Sequence, residues 1–146
     1  MTNSELAHEV ALQLIKTRRA FRQAIQRMLA LHNIEMTFEM LQVMYLLWIE
    51  QGVSQQQLAV RSSKDKACLT NLINNLIKKG WVRRKNDAID RRKKLIYLTA
   101  AGEALSKRVR PILDSIYETA GNKMNPGEMQ ICKNYLEKLN GIFNEI

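Results

Sequence analysis

The sequence predicts a mainly α-helical chain with one small β-hairpin: a winged helix-turn-helix with a helical dimerisation layer, in the order α-α-α-α-β-β-α-α. Three observations predict it. From Ser54 to Thr99 a short helix, a tight turn, an amphipathic helix and a basic two-stranded hairpin follow one another directly. That region carries nearly all of the excess positive charge, and the helices outside it carry long apolar stripes that one small core cannot cover.

Each element is announced by its caps and its periodicity. Ser4 opens a long first helix through Leu6, Val10, Leu14, Phe21, Ile25 and Met28, about 40 Å long if it runs to Leu31 at 1.5 Å per residue. Thr37 caps a second helix through Leu41, Met44, Tyr45, Leu47 and Trp48, closed by Gly52. Val53 adds one or two residues of strand at the hairpin's edge. Ser54 with Gln57 forms a capping box for the third helix, and Ser62-Ser63 make the turn, with Ser63 capping the fourth. Lys78-Lys79-Gly80 ends that helix, cations at its carboxyl end and Gly just beyond. Trp81 to Lys85 and Lys94 to Leu98 read as strands around the polar loop Asn86 to Lys93. Thr99 caps a helix towards Gly121 that Pro111 should bend. Asn125-Pro126-Gly127-Glu128 opens the last helix.

The charge is a patch rather than a coating. Between Arg61 and Arg110 there are 15 Lys or Arg against 4 Asp or Glu, and elsewhere 8 against 10. Neutralising phosphates releases condensed counterions, so a patch of this sign points to a polyanionic partner, here double-stranded DNA. The chain has no 18-residue uncharged apolar run and no secretory leader at its start, so neither export nor membrane insertion is expected, and the location expected is cytoplasmic and nucleoid-associated. Cys68 and Cys132 make no disulfide framework. His8 and His32 are far apart with no Cys/His cluster, so neither a metal, a cofactor nor an enzyme is expected.

The fourth helix has two faces. Leu69, Leu72, Ile73, Leu76 and Ile77 make the packed one. Lys64, Ala67, Asn71, Asn74, Asn75 and Lys78 lie about half a turn away, flanked by Lys66 and Thr70. Asn pairs bidentately with adenine, Thr touches base edges or the thymine methyl, and Ala allows close approach. In the hairpin loop Asp90-Arg91-Arg92-Lys93 places an Arg where the narrow minor groove would attract it, with Asp90 pairing to Arg92 to aim it. Ser54 and Arg84 complete the candidate DNA-contact set.

The run from Ser54 to Gly102 resembles the MarR family of bacterial transcription regulators, through SQQQLA, LTNLINNLIKKGWVRR and the wing signature DRRKKLIYLTAAG. The resemblance implies a single MarR-like domain over 1–146, with residues 36–99 as the DNA-binding winged region and 1–35 with 100–146 as interlocking dimerisation helices. It also implies a homodimer, major-groove contacts from Lys66, Ala67, Thr70 and Asn71, and a minor-groove contact from Arg92 braced by Asp90. Family peroxide sensors use a cysteine near the amino terminus, which this chain lacks.

A pseudopalindromic operator, a repressor role and release by a small aromatic or phenolic effector follow from the same resemblance. Met36, Met40 and Met44 at four-residue spacing, with Phe21 and Trp48, read either as pocket lining for that effector or as plain core. Cys68 reads as a small packing residue, with oxidant sensing as the alternative, and Cys132 reads as core. The competing function is an architectural, sequence-tolerant nucleic-acid binder with no effector.

Overall fold

The computed structural model describes residues 1–146. Its elements are α1 (Asn3–Leu31), α2 (Phe38–Ile49), β1 (Val53–Ser54), α3 (Gln55–Ser62), α4 (Lys66–Lys78), β2 (Val82–Asn86), β3 (Lys94–Leu98), α5 (Ala100–Lys123) and α6 (Pro126–Asn144). No helix is long and apolar enough to cross a membrane. The chain divides into two compact units, Met1–Arg110 and Pro111–Ile146, and the boundary falls at the proline inside α5.

In the first unit the core is built where apolar faces of α2, α3 and α4 meet the sheet. Val43, Met44 and Leu47 of α2, Leu58 of α3, Leu69, Ile73 and Leu76 of α4, and Ile96 of β3 are all sealed from solvent. Burial of this kind is the main force fixing the orientation of α4. The sheet runs β1-β3-β2, antiparallel throughout, with Val53 opposite Ile96 and Val82 opposite Leu98. Gly52 supplies the left-handed turn into β1 with φ of 72° and donates its N–H to Ile96 O at 2.9 Å.

Several caps differ from the sequence reading. Thr2 rather than Ser4 caps α1, because Glu5 three residues on completes a capping box with it. α2 closes at Glu50, and Gly52 serves the following turn instead. Ser63 does not cap α4: it takes a left-handed conformation (φ 55°) at the end of α3, and Asp65 caps α4 by accepting from Cys68 N at 2.7 Å.

α1 is tied to α2 by a two-point ion pair, Arg22 Nε and Nη2 to Glu39 Oε1 and Oε2 at 3.0 and 3.3 Å. Partial burial alone would raise the Glu39 carboxyl, but the Arg22 hydrogen bonds, a hydrogen bond from the Glu39 backbone and, with smaller shares, the charges of Arg22 and Lys64 outweigh it and hold the carboxyl below its usual value. A carboxyl that is more acidic when folded stabilises the fold above its unfolded value, and that contribution is lost as pH falls through the folded one. Glu39→Gln should therefore be less stable than the parent at neutral pH, with the gap closing below pH 4.5, read from urea midpoints.

In the second unit Ile112 and Leu113 of α5 are buried, but α6 buries no residue at all. Its stripe of Met129, Leu136 and Phe143 is exposed, as is Cys132, which the sequence pattern had placed in a core. The α6 start is as expected: Glu128 Oε1 accepts from Asn125 N at 3.0 Å, with Pro126 in the first turn.

Candidate nucleic-acid interface

The placing of α4 is set by the α3–α4 turn. Lys64 N donates back to Ala59 O at 3.2 Å and Ser62 Oγ to Leu58 O at 2.6 Å, which closes α3. Lys64 therefore lies in the turn, half-buried, rather than on the α4 face, and Lys66 is the first helical residue. Lys66, Ala67, Asn71, Asn75 and Lys78 are exposed along α4, while Thr70 and Asn74 are half-buried. Cys68, which the sequence assigned to packing, is exposed beside them.

A polar network that periodicity alone does not show decides which of these side chains are available. Gln55 Nε2 donates to Thr70 Oγ1 at 2.9 Å, and Thr70 Oγ1 donates to Lys66 O at 2.8 Å. Arg84 of β2 donates from Nε to Gln55 Oε1 at 3.3 Å and from Nη2 to Asn74 Oδ1 at 2.7 Å. An Arg can only donate, so the Asn74 carbonyl must face it. Arg84 is thus a strut between β2, α3 and α4. The exposed side-chain amide of Asn71, by contrast, makes no hydrogen bond within the chain. Ser54 is buried and its hydroxyl accepts from Gln57 N at 3.1 Å, so it shapes α3 rather than reaching outward.

The wing pairs Arg84 with Ile96 and Asn86 with Lys94 in register. Lys94 Nζ donates to Asn86 Oδ1 at 2.6 Å at its far end. Beyond it the loop is pinned by its own aspartates: Asp87 Oδ1 accepts from Ile89 N at 3.0 Å, and Asp90 Oδ1 from Arg92 N at 3.1 Å. Asp90 therefore holds the Arg92 backbone, while the guanidinium Nε stands 3.6 Å from it and is almost fully exposed. Arg91 and Lys93 are exposed alongside.

The proposed pocket residues are placed less uniformly. Phe21 meets Phe38 edge-on at 5.8 Å, Met44 is sealed in the core, and Trp48 has Arg110 stacked over its ring at 5.8 Å. Met40 lines an open depression of about 620 Å³ with Gln26, Ile34, Met36 and Lys79, which Phe21, Met44 and Trp48 do not reach.

Residues 37–94 match the model of the MarR family, over the stretch that builds this interface. The chain is 29% identical over 97 residues to the transcriptional regulator HosA of Escherichia coli, covering 66% of this chain and 72% of HosA. Residues 37–94 are a MarR-family region. It is also 34% identical over 102 residues to the HTH-type transcriptional regulator TtmR of Methylorubrum extorquens, 70% of this chain and 49% of TtmR. In fold it superposes on a mutant MarR from E. coli complexed with operator DNA, with a TM-score of 0.84 at 17% identity, covering 95% and 99% of the two chains.

Proposed function

We propose that this chain is a sequence-specific, DNA-binding transcriptional repressor that acts in the cytoplasm as a homodimer on a pseudopalindromic operator. The observation that carries this reading is the exposed face of α4, where Asn71 offers an unbonded amide between exposed Lys66 and Lys78, with a basic, pre-formed wing following in β2 and β3. A free Asn amide donates to adenine N7 and accepts from N6, and exposed Arg92 suits the minor groove. Lys66, Ala67 and Thr70 complete the major-groove set, Thr70 through its methyl because its hydroxyl is engaged. Lys64, Arg84, Arg91 and Lys93 supply charge towards phosphates. Asn74 and Ser54, bonded inwards, hold the element in shape.

The dimer is supported by apolar surface left uncovered. Leu6, Val10 and Ile15 of α1 are exposed, and so are Met129, Leu136 and Phe143 of α6. A two-fold copy covers such surface and sets two recognition helices about one helical turn, roughly 34 Å, apart. A small aromatic effector that binds one spacing better than the other would release the operator in proportion to that preference. Phe21, Met40, Met44 and Trp48 are its candidate contacts. Because Met44 is sealed, the ligand must displace packing there, which unbranched thioethers permit.

Selection from random duplexes at near-physiological salt tests the proposal. The parent should enrich a two-fold symmetric site. Asn71→Ala should then lose preference at one position of each half-site, costing about 1–3 kcal/mol against the preferred base. Arg92→Ala should weaken binding and lower the salt slope by about one. Enrichment of no symmetric site would favour a sequence-tolerant architectural binder.

A further inference from the structure

We infer that Ile89, at the tip of the wing, is an apolar minor-groove contact that packs on the deoxyribose walls and wedges against a base step. The inference rests on the DNA-binding reading above. Ile89 is 96% exposed, the highest value of any large apolar side chain inside the chain's ends. A single exposed hydrophobic residue is ordinary, so exposure alone assigns nothing. Its place and its rigidity do.

The loop Asp87 to Lys93 is closed by four short-range bonds. Besides the two aspartate side-chain bonds to Ile89 N and Arg92 N, Asp87 N donates to Lys93 O at 3.0 Å and Lys93 N to Asp90 O at 2.9 Å. Ile89 and Arg92 are therefore presented from one pre-organised turn, which lowers the entropy lost on docking. Both acids of the loop are occupied in shaping it, and three consecutive cations, Arg91, Arg92 and Lys93, follow. The cations suit phosphates and the negative potential of the narrow groove. The sec-butyl side chain of Ile89 cannot serve either. On a duplex, the apolar surface open to a narrow tip is the sugar wall of the minor groove and the face of a partly opened base step, and Ile is among the side chains that wedge there.

Because Ile89 contributes nothing to the core, its truncation separates binding from folding. Titrate the duplex selected by the parent, by fluorescence anisotropy across a range of salt, with Ile89→Ala, Ile89→Leu and Arg92→Ala. Loss of a buried Ile side chain should weaken binding about tenfold with an unchanged salt slope, while Ile89→Leu stays close to the parent. Arg92→Ala should instead lower the slope. If the parent selects no duplex, the DNA-binding reading fails and this inference with it. If the parent selects a site and Ile89→Ala binds it equally well, or differs only in salt slope, this inference alone is overturned.

Discussion

Gly102→Ala should cost about 3 kcal/mol of folding stability, although Ala is the better helix former by about 1 kcal/mol. The reason is a close approach that only Gly allows. Thr99 N donates to Trp81 O at 3.0 Å, and Thr99 Oγ1 accepts from Gly102 N at 3.0 Å, so the first turn of α5 is drawn down onto the entry of β2. A β-carbon on Gly102 would fall inside the surface of the Trp81 carbonyl oxygen, 3.0 Å from its carbon and 3.4 Å from Leu98 Cδ2. The obstacle is backbone, which cannot rotate aside, so the helix start or the strand must move. Urea unfolding of parent and variant at one protein concentration measures the difference. Equal or greater stability in the variant would show that α5 does not begin against Trp81.

Leu76→Ala should be similarly costly, about 3 kcal/mol, whereas Asn71→Ala on the same helix should stay within about 0.5 kcal/mol of the parent. Leu76 has no exposed surface, and with Leu69 and Ile73 it forms the face that seats α4 against the core. Truncating it leaves a cavity that a packed interior closes only in part. Asn71 is exposed and its side chain makes no hydrogen bond that truncation would break. The pair divides α4 into a face that sets its orientation and the exposed face proposed to contact DNA. Chemical denaturation reads the first, and selected-site preference reads the second. A large stability loss in Asn71→Ala would contradict the division.

Local chemistry made much of this legible in the sequence. Ser54 with Gln57, Thr37, and Lys79-Gly80 appear as capped ends because each signal lies within four residues of its partner, and Gly80 takes φ 78° as such a helix end requires. Where two cap-competent residues lie close together, composition does not choose between them. Thr2 displaced Ser4, and Asp65 displaced Ser63, which moved Lys64 off α4. The Gln55–Thr70–Arg84–Asn74 network was invisible for a different reason: its partners are 10 to 29 residues apart, and helical periodicity carries no information about them. It re-sorted the candidate contacts, engaging Asn74 and the Thr70 hydroxyl and leaving Asn71. Cys132 and its neighbours on α6 show the limit of stripe reading, since an apolar stripe fixes which face seeks cover but not which chain provides it. Ile89 escaped because one apolar residue in a polar loop has no period.

The central claim, that α4 enters the major groove while the wing reaches the minor groove on a two-fold site, is tested most directly by chemical footprinting of the parent on its selected duplex. Guanine N7 should be protected from methylation in two major-groove patches about one helical turn apart, with minor-groove adenine N3 protected on the outer flank of each. Uniform backbone protection with neither groove favoured, or a single unpaired patch, would contradict it.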